Sequence, residues 1–137
     1  MREILFRGKR IDNGKWVEGN YILQNDDDPN RANYLIPYIK LRNCCNLNKY
    51  EVVPETVGQF TGLLDRNGKK IFEGDIVKVR QERCDGTGVV GYENGSFMVY
   101  VTSGNIYERT LFEYWYNDWN IEVIGNIHND PELLEVK

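Results

Sequence analysis

The sequence predicts a mainly β protein, and three observations support this prediction. Tyr, Phe and Trp together supply 12% of the 137 residues, whereas alanine occurs only once, at Ala32, and this balance favours strands over helices. Asn-Gly pairs occur at 13–14, 67–68 and 94–95, between segments rich in apolar residues. Because Asn-Gly tolerates the positive φ of tight turns, each pair predicts a β-hairpin. Short strands at this spacing indicate a small barrel or sandwich.

Two similar phrases contain the first two Asn-Gly pairs. RGKRIDNGKWVEG occupies residues 7–19, and TGLLDRNGKKIFEG occupies residues 61–74. They align only with a one-residue insertion, so a rigid structural repeat is not expected. Duplication of one unit remains an alternative, but we favour convergence, because every such hairpin needs Asn-Gly at its tip and a glycine near a bend.

Between the two phrases, the sequence predicts one further strand and a boundary. YLIPYIKL, residues 34–41, is typical of a strand, and Pro37 predicts that it is an edge strand or carries a bulge. Pro54 precedes the second phrase. We therefore predict an N-terminal β-hairpin unit at 1–55 and a second β unit at 56–137.

The second unit shows regular strand patterns and one ambiguous segment. DIVKVRQ (75–81) and NIEVIGNI (120–127) predict strands, and CDGTG (84–88) predicts a turn. In 109–119, Leu111, Trp115 and Trp119 could share one face of a short helix, but the aromatic content would also suit a strand. Asp130 and Pro131 predict one or two helical turns near the C-terminus.

Charge and cysteine content narrow the function classes. The net charge is −4: residues 1–60 carry +1, and residues 61–137, with eight basic and thirteen acidic residues, carry −5. This balance argues against broad binding to the phosphate backbone of nucleic acids. The charged start and the lack of a long apolar run predict a cytoplasmic protein without a membrane anchor. Three cysteines, two of them adjacent, do not fit a secreted disulfide framework.

Three blocks of the sequence resemble a known family. ILFRGKRIDNGKWVEG (4–19), TGLLDRNGKKIFEGDIVKV (61–79) and EVIGNIHNDPELL (122–134) look like the YopX family of phage and prophage proteins. The resemblance implies that the C-terminal part is an SH3-like barrel or roll and that the protein comes from a bacteriophage or prophage, in the cytoplasm of a bacterial host. It supplies no assigned biochemical function and no catalytic residues.

The residues offer little support for metal, cofactor or catalytic chemistry. Cys44, Cys45, Cys84 and His128 could total one zinc set, but structural zinc sites use ligand pairs two to four residues apart, so we expect neither a metal nor a cofactor. Glu73 and Asp75 flank Gly74 and could act as a carboxylate pair. We instead expect Asp75 to accept backbone hydrogen bonds at the strand start, and we expect no enzyme.

The leading hypothesis is a non-catalytic module that binds another protein or copies of itself. The candidate contacts are the aromatic residues of the ambiguous segment, because exposed Tyr and Trp anchor protein interfaces: Tyr114, Trp115, Tyr116 and Trp119. The alternative is a nucleic-acid-binding small barrel that uses the basic residues near the second hairpin: Lys69, Lys70, Lys78, Arg80 and Arg83. An unrecognised enzyme is the third possibility. No membrane contact is expected.

Overall fold

The computed structural model of the chain describes residues 3–25, 28, 30, 35–42, 49–117 and 120–134. This part of the chain is mainly β, as predicted, and all its strand pairs are antiparallel. Two short 3-10 helices, Pro54–Thr56 and Pro131–Leu134, accompany one α-helix. The strands and the helix are β1 (Phe6–Lys9), β2 (Trp16–Asn25), β3 (Leu35–Lys40), β4 (Lys49–Glu51), β5 (Gly58–Leu64), β6 (Lys70–Phe72), β7 (Asp75–Gln81), β8 (Cys84–Glu93), β9 (Ser96–Gly104), β10 (Arg109–Thr110), α1 (Leu111–Tyr116) and β11 (Asn120–Asn126).

The chain forms two compact units, Met1–Gln59 and Phe60–Lys137. The division falls inside β5, whereas the sequence placed it near residue 55, in the 3-10 helix before that strand. That each unit is a domain of its own stays a prediction.

In the first unit, the neighbouring strands follow the order β4-β3-β2-β1. The residue after β4, Val52, forms an isolated antiparallel bridge with Arg10 at the end of β1. On either side of this bridge, the Ile11 N–H donates to the Glu51 carbonyl at 3.1 Å and the Val53 N–H donates to the Lys9 carbonyl at 2.8 Å. These bonds hold the tip of the first hairpin against the segment that follows β4.

The prediction that Pro37 marks an edge strand or a bulge is wrong. β3 lies between β2 and β4, and its register with both is regular. Tyr38 faces Glu51, so Pro37 stands opposite Val52, whose N–H donates to the Pro37 carbonyl at 3.1 Å. Proline has no N–H group with which to return that bond. It is tolerated here because the β4 ladder ends at this position, so no regular strand bond is lost.

In the second unit, five strands form a sheet in the order β10-β9-β8-β7-β11, and β6 pairs with β5. Among the described residues, no ladder joins β10 to β11, so the sheet is open and the closed barrel is not confirmed. The physical reason lies at β10. Only Arg109 and Thr110 pair with β9 before the chain turns into α1.

The prediction of a turn at CDGTG is also wrong. The turn lies at 82–83, and 84–88 belong to β8. The glycines serve close packing here, because a Cβ atom at Gly88 would lie 2.6 Å from Val99 Cγ1 and one at Gly86 would lie 2.7 Å from Ile106 Cγ1. Such distances are shorter than any normal contact, so only glycine lets the neighbouring segments approach. The core beneath this sheet is formed by Ile71, Val77, Val79, Val90, Val99, Ile106, Leu111, Tyr114 and Ile121.

The three Asn-Gly turns are confirmed. Gly14, Gly68 and Gly95 have φ angles of 71°, 80° and 84°. The two repeated phrases nevertheless build different loops. The first is closed by the Arg10 N–H on the Lys15 carbonyl at 2.9 Å, whereas the second is closed by the Asp65 N–H on the Lys69 carbonyl at 2.8 Å and is one residue shorter. This difference favours convergence over duplication.

The second loop is organised by a buried carboxylate, that of Asp65. Its Oδ1 accepts the backbone N–H groups of Asn67 at 2.8 Å and Lys69 at 2.9 Å. Its Oδ2 accepts the N–H of Val123 in β11 at 2.9 Å, across 58 positions of sequence. The Arg66 N–H also donates to the Ile121 carbonyl at 2.8 Å. The hairpin tip is thereby fixed to the outer edge of β11.

We predict that Gly68→Val destabilises the protein by about 1–2 kcal/mol. No atom lies within 4 Å of a Cβ placed at Gly68, so the cost arises from the positive φ and not from a clash. Urea unfolding monitored by circular dichroism measures the effect. The control is Gly68→Asn, because Asn adopts positive φ more readily than Val. Equal stability of the two variants would contradict this explanation.

We predict that Asp65→Ala lowers the free energy of unfolding by about 2–4 kcal/mol, because three backbone donors lose a charged acceptor. Asp65→Asn should cost less, since its one carbonyl oxygen can still accept from Asn67 and Lys69. The control is Asp12→Ala in the first hairpin, where the carboxylate is exposed and pairs with the Arg10 guanidinium, with Nε at 2.9 Å. The same urea titration compares the variants, and a similar loss for Asp12→Ala would argue against a special role of Asp65.

Candidate protein-interaction site

The ambiguous segment 109–119 contains a short strand followed by a helix. α1 begins after Thr110, whose hydroxyl accepts the Glu113 N–H at 3.2 Å. It ends at Tyr116 and is followed by Asn117, whose side-chain amide donates to the Glu113 carbonyl at 2.8 Å. Thr110 and Glu113 have the spacing of a capping box, a local signal that could have predicted the helix from the sequence.

α1 packs through Leu111 and Tyr114, each only 1% exposed. The Tyr114 hydroxyl donates to the Tyr107 carbonyl and accepts the Tyr107 N–H at 3.0 Å. Tyr114 is therefore a core residue, and the prediction that it contacts a partner is corrected. Trp115 of the predicted apolar face is exposed instead. Trp119, the third residue of that face, lies outside the described residues. On a helix this short, residues spaced by three reach the core together.

The other aromatic side chains of α1 form an exposed group, which we call the aromatic ridge: Phe112, Trp115 and Tyr116. Their exposed fractions are 56%, 44% and 69%. The Phe112 and Tyr116 rings stack with centroids 5.7 Å apart, and the Phe112 and Trp115 centroids are 6.1 Å apart. The rings therefore present one continuous aromatic surface, to which Phe112 contributes although it was not among the predicted contact residues.

A cleft of about 430 Å³ lies beside the C-terminal end of the ridge. Its lining consists of Trp115, Tyr116 and residues of β5, the second hairpin and β11: Leu64, Asp65, Arg66, Asn120 and Ile121. Asp65 uses both carboxylate oxygens on backbone N–H groups. The cleft thus offers a partner apolar surface from Leu64 and the rings, with Arg66 and Asn120 as exposed polar groups.

A second cleft, of about 370 Å³, lies at the N-terminal end of the ridge. It is lined by Thr61, Leu63, Ser96, Phe97, Thr110, Leu111 and Phe112, none of which is charged. The aromatic ridge therefore has a depression at each end.

Two of the five basic residues of the nucleic-acid alternative stand opposite carboxylates. In the sheet register, Lys78 stands opposite Glu122 of β11, and Arg80 stands opposite Asp85 of β8. Lys69 and Lys70 belong to the other hairpin, where the Lys70 ammonium lies 5.8 Å from the centre of the Phe60 ring. Carboxylates placed opposite Lys78 and Arg80 reduce their attraction for phosphates.

The residues that the structure describes contain no metal-binding cluster. Among them, no group of three or more His, Cys, Asp or Glu side chains lies close enough to hold a metal, and Cys44 and Cys45 lie outside that part of the chain. Asp75 is 1% exposed and accepts the Phe72 N–H at 2.7 Å, which confirms its predicted structural role. No helix within the described ranges is long and apolar enough to cross a membrane.

We predict that Tyr114→Phe costs about 1 kcal/mol at neutral pH, because Tyr107 loses both bonds to the hydroxyl. Burial raises the pKa of Tyr114 above its ordinary value. The stabilisation from the protonated hydroxyl is therefore complete below about pH 10 and is lost as the pH rises toward the folded-state pKa. Urea unfolding between neutral and alkaline pH should show a steeper fall for the wild type than for Tyr114→Phe. Exposed Tyr116→Phe is the control, and parallel pH profiles for the wild type and Tyr114→Phe would contradict this reasoning.

Comparisons with known proteins bear on the fold and the family. Among solved structures, the chain is similar to the crystal structure of protein EF1440 from Enterococcus faecalis, with 24% sequence identity and a TM-score of 0.58. That match covers 98% of this chain and 100% of the other, and at this identity it shows the fold alone. No curated protein matches the chain. The family model described as YopX protein matches residues 5–135, and the chain therefore belongs to the YopX family.

Proposed function

We propose that this protein is a non-catalytic module of phage or prophage origin that binds another protein through α1, in the cytoplasm of a bacterial host. One observation carries the proposal: three large aromatic side chains of a six-residue helix are exposed side by side. Leaving such rings in water is unfavourable compared with burying them. Trp and Tyr are also the residues that most often dominate protein interfaces.

The clefts at the two ends of the aromatic ridge support the same proposal. A partner could place one side chain in the cleft beside Trp115 and another in the cleft beside Phe112.

The second unit is also proposed to be an SH3-like roll that is left open. This finer assignment is supported by the consecutive antiparallel pairing of β7 to β10, with β11 returning beside β7.

The charge distribution supports a protein partner over a nucleic acid. Stacking of bases on the ridge would bring phosphates close to Glu113, an exposed carboxylate on the same helix. Residues 61–137 carry a net charge of −5. Binding to a nucleic acid would therefore require Lys69, Lys70, Lys78, Arg80 and Arg83 to overcome both the local and the overall negative charge.

We predict that the double variant Trp115→Ala, Tyr116→Ala binds a protein partner at least about tenfold more weakly than the wild type. The immobilised protein is incubated with nuclease-treated bacterial lysate, and bound proteins are quantified by mass spectrometry. Light scattering measures self-association of the same variants. The matched control is Tyr107→Ala, because that ring is 66% exposed and lines neither cleft.

Equal binding by the double variant and the wild type, in both measurements, would contradict the proposal. Titration with labelled single- and double-stranded DNA and RNA completes the test. Submicromolar binding that weakens steeply with salt, and that is lost after charge reversal of Lys69, Lys70, Lys78 and Arg80, would support the nucleic-acid alternative instead.

A further inference from the structure

We infer that the partner of the aromatic ridge presents a Lys or Arg side chain that lies over Tyr116 and pairs with Glu113, next to an apolar side chain that enters the cleft beside Trp115. This inference rests on the proposed function and specifies the chemistry of the partner. It assigns Glu113 as the residue that selects the charge of the bound segment.

The position of Glu113 is the first argument. Glu113 and Tyr116 are three positions apart on α1, so they are neighbours on its surface, and both are exposed. The Glu113 N–H donates to the Thr110 hydroxyl at the start of the helix, and the Glu113 carbonyl accepts the Asn117 side-chain amide at its end. Its carboxylate has no ion pair or hydrogen bond with the residues that the structure describes. A carboxylate beside an exposed ring is a suitable site for a cation.

The second argument comes from how this chain uses its other rings. The Arg10 guanidinium lies 4.0 Å from the centre of the Tyr50 ring, and the Lys49 ammonium lies 4.6 Å from that of Tyr38. Within the described ranges, no Lys or Arg side chain lies over Phe112, Trp115 or Tyr116. The faces of these rings attract cations through the ring quadrupole, so the aromatic ridge can accept one from a partner.

Arg66 is expected to keep the partner's basic group out of the cleft. Its side chain is exposed and lines the cleft next to Trp115 and Tyr116. Asp65 in the same lining already uses both carboxylate oxygens to accept backbone N–H groups. A basic group inside the cleft would therefore lie near the Arg66 guanidinium without a carboxylate left to pair with, whereas an apolar side chain would pack against Leu64 and the rings. The partner's basic group is therefore expected outside the cleft, on the side of α1 that carries Glu113. The net charge of −5 in residues 61–137 favours the same basic segment at longer range.

The experiment selects peptides from a random phage-displayed library on the immobilised full chain and counter-selects them on the Trp115→Ala, Tyr116→Ala variant. Peptides that depend on the ridge are synthesised, and their affinities are measured by fluorescence anisotropy at low and physiological salt. We expect them to contain Lys or Arg beside an apolar residue. Glu113→Gln should weaken them roughly twofold to fivefold at low salt, and less at higher salt.

A double-mutant cycle isolates the proposed pair. Replacing the peptide's arginine by neutral citrulline should weaken binding to the wild type more than binding to Glu113→Gln, because the variant loses only the contact of the charge with the Tyr116 ring. The control is Glu132→Gln, because Glu132 is an exposed carboxylate that lines neither cleft. This control should leave the affinity unchanged.

The remaining outcomes separate the two proposals. Peptides that depend on the ridge but bind Glu113→Gln equally well would overturn this inference and leave the proposed function standing. Acidic peptides that are weakened by Arg66→Gln would also overturn it. If the library yields no peptide that depends on the aromatic ridge, this inference is overturned. If, in addition, the Trp115→Ala, Tyr116→Ala variant captures the same lysate proteins and self-associates to the same extent as the wild type, the proposed function is overturned as well.

Discussion

The second unit depends on the buried carboxylate of Asp65. It accepts two N–H groups of its own loop and one from Val123 in β11, so a single side chain defines the hairpin tip and attaches it to a distant strand. Hydrogen bonds to a charged acceptor are stronger than those between neutral groups, and here all three donors belong to the backbone. The same contact covers part of the outer edge of β11, which would otherwise present unpaired groups to other chains.

The candidate interaction site follows from this attachment. Leu64 and Arg66 line the cleft beside Trp115 because Asp65, between them, holds the hairpin against β11. α1 itself has only six residues, too few for an isolated helix to be stable in water. It is held by the burial of Leu111 and Tyr114, and this burial leaves the aromatic ridge on the opposite side. The ridge is therefore exposed by the way the helix must pack.

The two repeated phrases show how similar turn chemistry can serve different purposes. In the first, Asp12 remains at the surface, where the bond from the Arg10 guanidinium lowers the pKa of its carboxyl. In the second, the aspartate precedes an arginine, and the loop is shorter by one residue. That shift places Asp65 at the end of a strand, where its side chain reaches backbone donors on both sides.

The sequence alone determined the features that depend on a few neighbouring residues. Asn-Gly steric freedom predicted the positive φ of Gly68, and the short polar side chain of Asp75 predicted its backbone bond. The capping-box residues at the start of α1 carried a similar local signal. Only the tertiary structure decided that Pro37 lies in an interior strand, that Gly88 supports close packing and that Tyr114 is buried. Each of these depends on a partner distant in sequence, and local patterns contain no information about which distant segments will pair.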